Sequence, residues 1–74
     1  MTAVVHLTDN QTVTIENLIE VRANPCAGMG ASIFPVTEIK NFELTEKALC
    51  TFVGEESTIA FSIGVICFVE FKKD

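Results

Sequence analysis

The 74-residue sequence has no tryptophan and no tyrosine, a single histidine, and five basic residues against ten acidic ones. Each shortage closes off a class of function. Without indole or phenol groups, the aromatic supply is six phenylalanines, which stack but offer a substrate no hydrogen bond. With one histidine, nucleophilic catalysis would have to pair His6 with Cys26, Cys50 or Cys67 and find a third group to orient the ring. No spacing in the chain favours such a set. A formal net charge of −5 repels phosphate, so nucleic acid is not an expected partner. The basic pair Lys72-Lys73 reads as the solvated end of a last strand, and the carboxylates are scattered along the chain without forming a run that imitates nucleic acid.

Cysteine is scarce in a telling way. Cys26, Cys50 and Cys67 are odd in number and lack CxxC spacing, which argues against a disulfide framework and a zinc ribbon. Three free thiols are expected. Cys50 and Cys67 lie in apolar runs and read as small buried hydrophobes, whereas Cys26, next to Pro25, reads as exposed. The first residues carry no basic segment of a secretory signal. The longest apolar stretch, residues 59–71, is interrupted by Ser62, Gly64 and Glu70, short of the ~18 residues that a membrane helix needs. The expectation is a cytoplasmic protein with no membrane partner.

What the chain does have is apolar content: 49% hydrophobic residues, 20% charged and a mean hydropathy of +0.41. A domain of this size buries only about 60% of the surface its unfolded chain exposes. Part of the apolar supply is therefore expected at the surface, which favours self-association.

The patterning is that of strands. Residues 3–7 alternate, with Ala3, Val5 and Leu7 on one face and Val4, His6 and Thr8 on the other; His6 thereby reads as a solvent-facing or interface residue. Asp9-Asn10-Gln11 supplies turn chemistry, because Asn and Asp tolerate positive φ. Alternation resumes with Val13 and Ile15, and after Glu16-Asn17 the odd positions Ile19, Val21 and Ala23 keep the inward parity. Shifting residues 3–23 onto 49–69 by a constant 46 pairs Leu7 with Val53, Val13 with Ile59, Ile15 with Phe61 and Val21 with Cys67. Only Thr12 and Thr58 are identical, so the chain reads as two similar strand-turn-strand-kink-strand units, with duplication left open. Between them, residues 36–44 read as a strand through Val36, Thr37, Ile39 and Phe42, and residues 43–49 hold the one short helical alternative.

Residues 24–35 contain both prolines and two of the glycines. Gly28-Met29-Gly30 begins a GxGxxG fingerprint, but Ile33 occupies the third glycine position and Pro35 blocks the helix whose N-terminus would hold a phosphate. No dinucleotide, and no other cofactor, is expected. The stretch reads instead as a flexible connection around Cys26, Gly28, Met29 and Gly30. Glu55-Glu56 and Asp9 lie in turns, where a solvated role is simpler than a metal site.

The fold expected is a single all-β domain over residues 1–74, with five or six antiparallel strands forming either a compact SH3-like barrel or a two-sheet sandwich. The function expected is non-catalytic: a small interaction or assembly module that self-associates or docks on a larger protein. The alternative is a domain that binds a small apolar or weakly polar ligand under the glycine loop, with or without cysteine chemistry. The last strand points to the first of these. Val65, Cys67, Val69 and Phe71 fill one face and Ile66 and Phe68 the other, so a strand apolar on both faces needs covering. Ile66, Phe68 and Glu70 are the expected interface residues.

Overall fold

The computed structural model describes residues 1–24, 30, 32–42 and 49–73, the side chain of Ile63 excepted. Over these residues it has seven strands: β1 (Thr2–Leu7), β2 (Thr12–Ile15), β3 (Leu18–Asn24), β4 (Ser32–Pro35), β5 (Leu49–Gly54), β6 (Thr58–Ser62) and β7 (Ile66–Lys72). All pairings are antiparallel, in a three-stranded sheet β2-β1-β7 and a four-stranded sheet β4-β3-β5-β6. The protein is all-β, one or two strands richer than the sequence suggests.

Local chemistry sets each reversal. Asn10 takes φ 69°, Asp9 Oδ1 accepts from the Gln11 backbone N–H at 3.1 Å, and Leu7 N–H donates to the Gln11 carbonyl at 2.8 Å. Asn17, at φ 52°, lets the chain leave the first sheet and enter the second. Both are asparagines because that side chain tolerates left-handed backbone.

The two sheets share one core. Ala3, Val5, Ile15 and Ile66 of the first join Leu18, Val21, Cys50 and Phe52 of the second in a continuous buried cluster. Phe52, fully buried, meets Phe61 edge-to-face with centroids 5.9 Å apart. Truncating such a residue costs about 3–5 kcal/mol, comparable with all the stability a small domain has.

The units seen in the sequence are present, but they exchange their third strands. β1 and β2 form a hairpin that receives β7, and β5 and β6 form one that receives β3. The registers coincide. Ala3↔Ile15 and Val5↔Val13 correspond to Cys50↔Phe61 and Phe52↔Ile59; Ala3↔Phe71, Val5↔Val69 and Leu7↔Ile66 correspond to Cys50↔Ala23, Phe52↔Val21 and Gly54↔Leu18. Even single hydrogen bonds repeat, Thr8 N–H to the Val65 carbonyl matching Glu55 N–H to the Asn17 carbonyl. The constant shift of 46 holds only for β2 and β6. β1 maps onto β5 at 47, so the buried face of β5 is Cys50, Phe52 and Gly54 and not the odd positions.

A bulge explains the remaining difference. Register slips between Leu18 and Glu20 in one sheet and between His6 and Leu7 in the other, leaving Ile19 and Cys67 as the extra residues of β3 and β7. An extra residue reverses inward and outward beyond it. Ile19 and Cys67 are accordingly exposed, against the expectation that Ile19 points inward and Cys67 is buried.

The segment between the units departs from expectation as well. Residues 32–35, read as part of a flexible connection, form β4 and pair with β3. Residues 36–41, read as strand, form a kinked 3-10 turn, Val36–Asn41. Val36, Ile39 and Phe42 are packed against the core while Thr37, Glu38, Lys40 and Asn41 face solvent. A period of three is what a 3-10 turn requires, since side chains at i and i+3 eclipse. The helical alternative at 43–49 lies outside the described residues up to position 48, and Leu49 opens β5.

Candidate interaction surface

β7 enters the first sheet beside β1, and its other edge pairs with no strand among the described residues. On the outer face of this sheet, residues stand in rows fixed by register: Thr12–His6–Phe68 and Thr14–Val4–Glu70. His6 and Phe68 stack with centroids 4.0 Å apart and planes 13° apart. His6 Nε2 donates to Glu70 Oε1 at 2.6 Å, which fixes the orientation of the imidazole over the Phe68 ring. Phe68 remains 49% exposed.

Along the free edge of β7 lies an open hollow of about 380 Å³ lined by Ile39, Lys40, Phe42, Phe68, Val69 and Phe71. Phe42 forms its wall, with edge-to-face contacts to Phe34 of β4 at 5.4 Å and to Phe71 of β7 at 5.7 Å. This aromatic chain spans the gap between β4 and β7, edge strands of the two sheets among the described residues. The 3-10 spacing places Phe42 there, a residue that the sequence reading had assigned to a strand.

Of the interface residues expected from sequence, Phe68 and Glu70 share the outer face, joined through His6. Ile66 does not share it. The bulge at Cys67 turns Ile66 into the core, where it is 8% exposed. Thus β7 is apolar on both sides for a different reason: Ile66, Val69 and Phe71 pack inward, and Phe68 is the large outward hydrophobe. Of the loop residues, Cys26, Gly28 and Met29 lie outside the described residues. Gly30 is exposed, with open space where a Cβ would stand.

The thiols differ in surroundings. Cys50 is 1% exposed, and burial pushes its pKa up to about 11. Cys67 is free and exposed. Among the described residues, no three His, Cys, Asp or Glu side chains gather as a metal site would need, and no helix is long and apolar enough to cross a membrane. Comparison with protein-family models, with curated proteins and with solved structures finds no match.

Proposed function

We propose that the protein is a non-catalytic assembly module that associates with copies of itself through the surface built on β7, the same surface serving to dock it on a larger protein. The observation that carries this is a half-exposed Phe68, stacked on a His6 ring that is bonded to Glu70, on a strand whose outer edge pairs with no strand among the described residues. Aromatic anchors locked before contact lose little freedom on binding, the property that makes them dominant contributors to interfaces. Covering the exposed half of a phenylalanine is worth about 1–2 kcal/mol. The other sheet exposes Ile19 and Ile33 but, among the described residues, no aromatic ring to the same degree: there the positions of Phe68 and Glu70 are taken by Glu20 and Arg22, which pair with each other.

Sedimentation equilibrium tests the proposal. The wild-type chain should show a concentration-dependent rise in mass above 8.1 kDa, and Phe68→Asp should weaken that association while the far-ultraviolet spectrum stays the same. A single species at the chain mass up to about 1 mM, a concentration at which even weak edge contacts associate, overturns self-association.

A further inference from the structure

The equivalence of the two units assigns a use to the free edge of β7. In the four-stranded sheet, β3 is flanked by β5 on one side and by β4 on the other, β4 pairing antiparallel through Glu20↔Pro35, Val21↔Phe34, Arg22↔Ile33 and Ala23↔Ser32. The same register places Phe68, Val69, Glu70 and Phe71 of β7 at the positions of those four β3 residues. Among the described residues the three-stranded sheet has no counterpart of β4. Its edge thus has the backbone course that accepts an antiparallel strand in the other half of the molecule, and unpaired edges of this kind recruit strands from other chains.

We propose that a second copy supplies the strand: β7 pairs antiparallel with β7 of the partner about a twofold axis through Phe71, joining two three-stranded sheets into one of six. This rests on the self-association proposed above and adds an edge contact beside the Phe68 surface, Phe68 standing one position past the ladder on the outer face. Charge selects the register. An antiparallel pair of identical strands sets residues of equal distance from the axis opposite each other, on the same face. An axis through Glu70 would oppose two glutamates, a destabilising arrangement. An axis through Val69 would set Glu70 against Phe68 and carry the ladder into the bulge at Cys67. With the axis at Phe71, Glu70 of each copy faces Lys72 of the other, two opposite-charge pairs on the exposed face. On the inner face the two Phe71 rings meet beside the hollow walled by Phe42, and the ladder uses residues 69–73, beyond the bulge. Lys40, lining the same hollow, faces the seam and adds no acidic group to it.

A charge exchange reads this register directly. Glu70→Lys and Lys72→Glu, made singly, each turn both cross-strand pairs from attractive to repulsive and should weaken dimerisation by about tenfold. Glu70→Lys combined with Lys72→Glu restores opposite charges across the axis and should bring the dissociation constant back to within about threefold of wild type. The double variant does not restore the contact from position 70 to His6, so recovery reports the seam between copies and not the His6 contact. A dimer whose affinity is the same in all three variants overturns the edge pairing while leaving self-association through the Phe68 surface standing. Weakening in both single variants without recovery in the double also overturns it. A wild-type chain that stays monomeric to about 1 mM ends both proposals.

Discussion

Cys50 and Cys67 carry the same group in opposite surroundings, and their chemistry should separate accordingly. The thiolate is the nucleophile, and Cys50 is both buried and held neutral to about pH 11. In the folded protein at pH 8, iodoacetamide should modify Cys67 and leave Cys50 untouched until denaturant is added, which peptide mapping by mass spectrometry reads. Rapid modification of Cys50 under native conditions would contradict its place between Ala23 and Phe61. The same shift has a consequence for stability. Because the folded pKa lies above the ordinary value of 9.0, the unfolded chain releases the proton first as pH rises. The contribution is whole below pH 9 and is lost between pH 9 and 11, by about 3 kcal/mol in full. Urea unfolding at pH 8 and pH 10.5 should show about 2 kcal/mol of that loss in the wild type, since pH 10.5 still lies below the folded pKa, and Cys50→Ala should remove this part of the pH dependence.

At the scale of the element, β7 shows how one inserted residue rewrites a strand. Ile66 and Phe68 are two apart, and strict alternation puts them on one face; the bulge at Cys67 puts one in the core and the other in solvent. Ile66→Asp should therefore abolish cooperative thermal unfolding, since it buries a carboxylate without a partner. Phe68→Asp should keep the fold and lose about 1 kcal/mol, the worth of its stack on His6. Equal damage from both would mean that β7 lacks its bulge. Bulges were not legible in the sequence because Ile19 and Cys67 are apolar residues within apolar runs, and nothing in composition marks a skipped hydrogen-bond pair. Turns were legible, since Asn10 and Asn17 announce positive φ by residue type. The 3-10 turn had a readable signal in the spacing of Val36, Ile39 and Phe42, masked by their β-favouring side chains. Of the candidate surface, the exposure of Phe68 and its company with Glu70 could be anticipated. The part played by Phe42 and the free edge could not, because both depend on the strand exchange between units.

For the molecule as a whole, the exchange makes two connections equivalent that the chain treats differently. β3 passes to β5, its antiparallel neighbour, through residues 25–48; β7 lies antiparallel to β1 in the matching position, with Thr2 opposite Lys72. Directly opposed residues of an antiparallel ladder stand about 4.5–5.5 Å apart at Cα, and continuing the register sets Met1 opposite Lys73, so Asp74 followed by an inserted Asn-Gly makes a three-residue hairpin loop that joins the two strands, with Gly at its left-handed position. A circular permutant made this way, cut between Leu44 and Thr45, has β5 as its first strand and the 3-10 turn as its last element among the described residues, and it retains every strand pair and both bulges found among them. Its sheets, core and aromatic chain through Phe34, Phe42 and Phe71 should form unchanged, because none of them depends on which unit comes first. Its melting temperature should lie within about 8 °C of the parent, the shift that corresponds to about 1 kcal/mol for a domain of this size. The two-dimensional amide spectra should differ mainly near the new turn and the new ends. A permutant that is soluble but unfolds without a cooperative transition would show that β1 and β7 do not meet in the register described, and with it the correspondence between the two halves would fall.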